Sequence, residues 1–219
     1  MNAFDENFPN LKILNFFDLK VDCNKLDSKA KLLINKKYKL PSFSSMLEED
    51  DAAKVYMSWS EKGLFFIFDV KANMEDANTS KLSIQDYKRA DSIEIFIDTR
   101  SLKTKGYITK FCHHFVYMPQ DIKGYRAKEI TRFRLDDMHE LSDAKDLKVD
   151  SIVKPKGYIL NIEIPHFSLF GFNPHEINYL SFSYKINRYQ MYPIHFNVSS
   201  FEHNIEKSPH LWAKMDLKK

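Results

Sequence analysis

Apolar and polar residues alternate with a period of two in several stretches of the chain, most clearly in ADSIEIFIDTR. There Ile93, Ile95 and Ile97 alternate with Glu94 and Asp98. Successive side chains of a strand face opposite sides of a sheet, so this pattern predicts a strand with one face in a hydrophobic core. Glu94 and Asp98 then share the other face roughly 13 Å apart. That distance is too long for the two carboxylates of a glycosidase.

Similar patterns predict strands along most of the chain. Residues 55–59 and 64–70 flank the polar loop Ser60-Glu61-Lys62-Gly63, which is typical of a hairpin. Further strands are predicted at 111–118, 130–135, 147–153, 158–164 and 180–186, in the terminal LWAKMDL as a sheet edge, and within 13–21 and 31–40.

Helical patterns are short, at 42–50 and 139–147, so the crossover helices of a parallel α/β fold are missing from the pattern. We therefore expect an all-β protein, a single antiparallel β-sandwich of about ten strands with one or two short helices. No linker rich in proline, glycine and serine divides the sequence. Residues 1–219 are expected to form one domain.

Charge and hydropathy narrow the classes of partner. The chain has 33 basic and 30 acidic side chains and a formal net charge of +3, so no nucleic-acid partner is expected. No window approaches eighteen uncharged apolar residues, so no membrane span is expected. The first residues are acidic where a secretory signal is basic, which favours a cytoplasmic location.

Known catalytic signatures are missing from the sequence. It contains no P-loop, GxGxxG, GxSxG or HExxH motif. The two cysteines, Cys23 and Cys112, could form one bridge but no disulfide framework, and neither belongs to a CxxC pair. The sequence itself therefore indicates no reaction.

Four stretches carry a resemblance to a known family: KVYMSWSEKGLFFIFDV, RADSIEIFIDTR, GYILNIEIPHFSLFGF, and LSFSYKINR followed by SPHLWAKMDL. The order of these strands and the residues that end them resemble the family 9 carbohydrate-binding modules and the wider DOMON-like sandwiches. The resemblance covers residues 52–217, with additional N-terminal strands expected within 10–40. The stretch 111–141 lies outside the general module pattern and is similar to a bacterial branch of these sandwiches that implies no particular activity.

The resemblance implies a carbohydrate ligand, which sugar-binding members hold between two exposed tryptophans. This chain has only Trp59 and Trp212. Trp59 shares its strand face with Val55 and Met57, which favours core packing. Trp212 shares a face with the polar His210 and Lys214, opposite the apolar Leu211, Ala213 and Met215. We therefore expect it on the outer face, as the platform on which a sugar ring stacks.

Other candidate ligand-binding residues are basic or polar. Arg132 and Arg134 are two apart in a predicted strand and could bind a carboxylate, phosphate or sugar edge by bidentate hydrogen bonds. The alternative for them is a solvated sheet face with cross-strand ion pairs. Arg188 and Gln190 follow a strand into a predicted loop, where binding residues often lie. His114 is the fifth candidate.

A second hypothesis is a metal site near the short acidic run. Imidazole and carboxylate suit divalent metals such as zinc, and carboxylate oxygens suit calcium. The candidate ligands are His114, Asp136, Asp137 and His139, while His113 faces the other way in an extended strand. The alternative is a hydrogen-bonded strand histidine, with Asp136 or Asp137 capping the next helix.

Three hypotheses about function follow. The leading hypothesis is a non-catalytic module that binds carbohydrate or a similar polar ligand. The first alternative is a protein-interaction or scaffold domain with a protein partner, which needs only an exposed patch or a sheet edge. The second alternative is a metal-dependent enzyme or a redox domain that uses the histidine and aspartate residues.

Overall fold

Strands make up most of the protein, whose computed structural model describes residues 19–27, 31–74, 84–134 and 136–219. In these ranges there are eleven strands and one short α-helix. They are β1 Lys20–Asn24, α1 Ser44–Leu47, β2 Ala53–Ser60, β3 Gly63–Lys71, β4 Ser92–Asp98, β5 Cys112–Ile122, β6 Tyr125–Glu129, β7 Lys148–Lys154, β8 Gly157–Pro165, β9 Tyr179–Arg188, β10 Met191–His195 and β11 Ala213–Lys218. The predicted all-β class is confirmed.

The strands form two sheets. The larger sheet has the order β1-β11-β9-β4-β5-β6, with β10 also paired to β9, and the smaller sheet has the order β2-β3-β8-β7. The pair β1 and β11 is parallel, and the other pairs are antiparallel. Short antiparallel connections such as Glu61-Lys62 between β2 and β3 follow from the predicted hairpin.

The core lies between the two sheets. Alternate residues of β4, among them Ile93, Ile95 and Ile97, are fully buried there, as the period of two predicts. Phe66 of the smaller sheet stacks on Phe182 of the larger sheet, with ring centroids 5.5 Å apart. Aromatic side chains thus fill the space between the two facing sheets and exclude water from it.

The outer face of the larger sheet is also covered. Phe96, on the opposite side of β4 from its isoleucines, packs in a second cluster with Cys112, Val198, Ile205 and Trp212. The chain that follows β10 therefore folds back over this face. All seven residues of β4 are buried as a result.

Several predicted elements differ from the structure. Residues 130–134 form no strand, and Leu135 lies outside the described residues; the strand is Tyr125–Glu129 instead, because pairing with β5 continues only to that point. Residues 31–40 hold a 3-10 turn at Lys36–Tyr38 rather than a strand, and 13–18 lie outside the described residues. The predicted helix at 139–147 is reduced to a 3-10 turn, Ala144–Asp146.

The predicted terminal strand is not at a sheet edge, because β11 lies between β1 and β9.

Cys23 and Cys112 are both free and buried, and burial raises the pKa of the Cys112 thiol to about 12. Among the described residues, no helix has the length and apolar character needed to cross a membrane.

The stacked pair in the core gives a test of the fold. We expect Phe66→Ala to lower the free energy of unfolding by about 3 to 5 kcal/mol, because it leaves a cavity between the sheets. Urea denaturation measures the change. Phe167→Ala is the control, since that ring is 65% exposed and its loss should change stability by about 0.5 kcal/mol or less. Equal effects of the two variants would contradict this placement of the core.

Candidate functional site

A cavity of about 700 Å³ opens on the covered outer face of the larger sheet. We call it the outer-face cavity. It is lined by Lys88, Ile108, residues 112–114, residues 131–134, Lys185, residues 200–207 and Trp212. Strands β5 and β9 supply its floor, while the loop after β6 and the chain after β10 supply walls. Four of the predicted ligand-binding residues thus meet in one place: His114, Arg132, Arg134 and Trp212.

A buried carboxylate fixes the floor of the cavity. Glu94 on β4 is fully buried, and its Oε2 accepts a hydrogen bond of 2.9 Å from His114 Nε2. Its Oε1 accepts one of 2.8 Å from Asn187 Nδ2 and lies 3.8 Å from Lys185 Nζ. Burial raises the pKa of Glu94, but the bond from His114 and the charge of Lys185 outweigh it and hold the pKa below its ordinary value.

The arginine wall is positioned by a second buried carboxylate. Glu129 ends β6, and its Oε1 accepts hydrogen bonds of 2.9 Å from His113 Nδ1 and from His139 Nε2. Thr131 Oγ1 donates to the same oxygen, and the backbone N–H of Ser142 donates to Oε2. Both ends of the loop that carries the arginines are therefore tied to one side chain.

Two histidines meet the carboxylate of Glu129. His139 Nδ1 lies 2.6 Å from the carbonyl oxygen of Lys110, and its Nε2 lies 2.9 Å from Glu129 Oε1. Burial raises the pKa of Glu129, but the bonds from His113 and His139 outweigh it and hold the pKa well below its ordinary value. The result is a buried, ionised carboxylate beside the cavity.

The sequence of this chain matches the model of a known protein family. The family described as "Carbohydrate family 9 binding domain-like" matches residues 26–208, which is most of the chain.

This chain belongs to the carbohydrate family 9 binding domain-like family. The resemblance to family 9 modules predicted from the four sequence stretches is thereby confirmed.

Solved structures of family 9 modules share the fold. A carbohydrate-binding module of family 9 from Caldicellulosiruptor kristjanssonii in complex with cellotriose is similar at a TM-score of 0.61 and 15% identity, over 91% of this chain and 93% of that chain. The same kind of module from that organism in complex with glucose has a TM-score of 0.62 and 15% identity, over 91% and 95%. Identity this low shows a common fold. Among the curated proteins, none matches this chain.

The two tryptophans of this family 9-like chain are both buried. Trp59 is 2% exposed in the core, as predicted. Trp212 does lie on the outer-face side of the sheet, but it is 1% exposed because the chain after β10 covers it. Its Nε1–H donates a hydrogen bond to the carbonyl oxygen of Ile205 in that covering chain. The expectation of an exposed Trp212 platform is therefore wrong. Trp212 lines the outer-face cavity as an almost fully buried residue.

The arginines lie differently from their prediction. Arg132 and Arg134 are exposed, and they belong to the loop after β6 rather than to a strand. No hydrogen bond or ion pair of either side chain is found within the part of the chain that the structure describes, so the alternative of cross-strand ion pairs does not hold there. Both guanidinium groups remain available to a ligand.

Arg188 and Gln190 do not reach the outer-face cavity. Arg188 is the last residue of β9 rather than a loop residue; its side chain is buried, bonded to Asp50 at 3.0 Å and to the carbonyl of Tyr192. Gln190 is exposed at the tight turn to β10, with φ of 55°. Arg188 therefore stabilises the β9–β10 hairpin, and the prediction that these two residues bind the ligand is not supported by their position.

The four predicted metal ligands do not come together. His114 faces Glu94 on one side of β5, whereas His139 contacts Glu129 with His113 on the other side. Asp136 and Asp137 are exposed and do not cap a helix, and Asp137 lies 3.6 Å from Lys110 Nζ. Opposite orientation of adjacent strand residues separates His114 from the rest.

A different set of residues meets the spacing of a metal site. The ligand atoms of His113, Glu129 and His139 all lie within 4.8 Å of one another, and all three residues are buried. Two imidazoles and a carboxylate suit zinc better than calcium. His113 and His139 already hydrogen-bond Glu129 at 2.9 Å in this space, so a metal would have to replace both hydrogen bonds.

Sequence reasoning missed the wall formed by the chain after β10. Phe201 is 65% exposed there, and His203, Glu206 and Lys207 line the same wall. Lys88 contributes from another segment and pairs with Glu206. These residues are not periodic in sequence, so no local pattern marks them. The signal in the sequence is a single phenylalanine at the start of the charged stretch FEHNIEK.

A second cavity lies on the outer side of the smaller sheet. This opposite cavity has a volume of about 780 Å³ and includes Phe65, Asp150 and Asn161 in its lining. Lys148 and Glu163, which also line it, are paired with each other at 2.8 Å. It contains none of the predicted site residues.

The role of Glu129 in holding the arginine loop is testable. We expect Glu129→Gln to lower the free energy of unfolding by about 3 to 5 kcal/mol, because it removes the charge of a buried carboxylate that bonds both His113 and His139. Urea denaturation at pH 7 measures this. Glu140→Gln, an exposed change on the same loop, should cost about 0.5 kcal/mol or less. A Glu129→Gln protein as stable as the Glu140→Gln protein would contradict the role.

The same carboxylate predicts a pH dependence. Because the pKa of Glu129 is lower in the folded than in the unfolded chain, its contribution is present above the unfolded value of 4.5 and is lost as the pH falls below it. We expect the free energy of unfolding to drop below pH 4.5 more steeply in the wild type than in Glu129→Gln. Denaturation curves from pH 7 to pH 3 measure both slopes. Parallel curves would show that Glu129 titrates normally.

Proposed function

We propose that the outer-face cavity is the carbohydrate-binding site of this family 9-like module. Family membership supports the function class, a non-catalytic carbohydrate-binding module, and the modules of similar fold are complexes with cellotriose and glucose. The observation that carries the choice of site is the meeting of an exposed aromatic ring with unpaired guanidinium donors at one cavity. Sugar recognition needs both kinds of group.

Phe201 supplies the ring on which a sugar would stack. It is 65% exposed at the cavity wall and is steadied by an edge contact with Tyr192, whose ring centroid is 6.0 Å away. Phe133 is half-buried on the arginine loop and packs edge-on against His139 at 4.8 Å. The C–H face of a sugar loses water against such rings, while its hydroxyl groups stay free for polar partners.

Arg132 and Arg134 supply those polar partners. A guanidinium group offers several N–H donors in one plane, which matches adjacent oxygens of a sugar. On the floor, His114 and Lys185 are held by Glu94, so the surface under the ligand is already ordered before binding. Less side-chain freedom is then lost on binding, which favours affinity.

The acidic residues at the sheet favour binding over hydrolysis. Glu94 already accepts from His114 and Asn187, and Asp98 accepts the backbone N–H groups of Arg100 and Leu102. A glycosidase needs a carboxylic acid and a carboxylate free to face the scissile bond. These two side chains are engaged by the protein instead.

The opposite cavity is the weaker choice of site. Its aromatic residue Phe65 is half-buried and Phe66 is buried, whereas Phe201 in the outer-face cavity is exposed.

Four further predictions from the sequence stay predictions beside this proposal: the cytoplasmic location, the DOMON-like relationship, the bacterial source and a protein partner.

Isothermal titration against a panel of oligosaccharides tests the proposal. We expect the wild type to bind at least one sugar and Phe201→Ala to weaken that binding about tenfold, equal to about 1.4 kcal/mol, through loss of the stacking face. Asn161→Ala in the opposite cavity is the matched control and should leave the affinity unchanged. Binding that responds to Asn161→Ala and not to Phe201→Ala would move the site, and a folded protein that binds no sugar would refute the function.

A further inference from the structure

The charge of the outer-face cavity carries an inference about its ligand. We propose that the cavity recognises a sugar that bears an oxyanion, such as a uronate carboxylate, a sulfate or a phosphate, in preference to a neutral sugar. This inference rests on the proposed function and specifies its ligand class.

The lining is rich in cations for a chain that is close to neutral. Five basic and two acidic side chains line the cavity, while the whole chain has 33 basic and 30 acidic residues. The five basic residues are Lys88, Arg132, Arg134, Lys185 and Lys207. A concentration of one sign in a concave surface attracts ions of the opposite sign.

Two of these cations are already neutralised by the protein. Lys88 pairs with Glu206, and Lys185 lies 3.8 Å from Glu94. For the remaining three, Arg132, Arg134 and Lys207, no ion pair exists among residues 19–27, 31–74, 84–134 and 136–219. Two guanidinium groups and an ammonium group thus line the same cavity without an ion pair to any described residue.

Uncompensated cations around one cavity repel one another, and an oxyanion between them relieves that repulsion. Hydrogen bonds from guanidinium to carboxylate, sulfate or phosphate oxygens are charge-assisted and about twice as strong as bonds between neutral groups. A neutral hydroxyl group offers the arginines only the weaker kind. The same geometry therefore gains more from an acidic sugar than from a neutral one.

A buried histidine nitrogen points to the same conclusion. His203 lines the cavity, and its Nε2 is buried with no hydrogen-bond partner within the described chain. A buried polar atom without a partner is costly, and such atoms usually meet water or a ligand. Nε2 can donate to an oxyanion once its ring is in the matching tautomer or is protonated.

The exposure of the aromatic side chains also favours a charged sugar over a neutral one. The family resemblance implies two exposed tryptophans around a neutral sugar, but both tryptophans of this chain are at most 2% exposed. Phe201, which is 65% exposed, has a smaller ring than tryptophan. Less of the affinity is then available from stacking, and the unpaired cations are positioned to supply the rest.

The test compares ligands of matched length by isothermal titration. The arms are cellotriose, an oligosaccharide with uronate units, a sulfated oligosaccharide, a phosphorylated monosaccharide, and inorganic phosphate and sulfate alone. We expect at least one acidic sugar to bind tenfold or more tighter than cellotriose, and its affinity to fall as salt rises from 50 to 500 mM. The tightest arm identifies the oxyanion.

Charge variants link the preference to the cavity. The double variant Arg132→Gln with Arg134→Gln should lose the preference for the acidic sugar and its salt dependence. The control variant Lys54→Gln with Lys154→Gln also removes two positive charges, from exposed positions on the smaller sheet. It should keep both the preference for the acidic sugar and the salt dependence. Thermal unfolding of each variant verifies its fold, since all four side chains are exposed.

Each other outcome overturns the inference in its own way. If cellotriose binds as tightly as the acidic sugars and the arginine variant behaves as wild type, the oxyanion preference is wrong while the proposed function stands. Should inorganic phosphate bind as tightly as the best sugar, the cavity is an anion site and the sugar specificity is wrong. If no sugar of either kind binds the folded protein, the proposed function itself fails.

Discussion

Burial of β4 on both faces is the constraint from which the site follows. One face of this strand enters the core through its isoleucines, and the other is covered by the chain after β10. Polar side chains on the covered face cannot reach bulk water, so each needs a partner within the protein. Glu94 obtains His114 and Asn187, and the covering chain becomes a cavity wall.

Two consecutive histidines serve the two faces of β5. His113 and His114 point in opposite directions, and each contacts a different buried carboxylate, Glu129 on one side and Glu94 on the other. One pairing holds the loop that bears the arginines, and the other orders the floor of the cavity. The doublet, of which only His114 was a predicted metal ligand, thus positions the cavity from both sides of one strand.

The relation between fold and site in this family 9-like module shows how a scaffold can keep its sheets and alter its surface. The core uses stacked rings such as Phe66 and Phe182, and any residues of similar size and polarity would maintain it. The cavity depends instead on loops after β6 and β10, which can change without disturbing the sheets. Arg132 and Phe201 both lie on these loops.

The sequence by itself determined the strands and their faces, because the period of two is a local property of extended chain. Ile93 and Ile95 face the core and Glu94 faces away, and Trp59 is buried with its strand neighbours, as the alternation requires. Arg132 and Arg134 line the same cavity as His114, but they lie in a loop rather than in the predicted strand. Only the tertiary structure decided that Trp212 is covered, that Arg188 pairs with Asp50, and that His139 joins Glu129 instead of His114. Each of these depends on how a distant segment folds back over the sheet, and the local alternation of side chains holds no information about that.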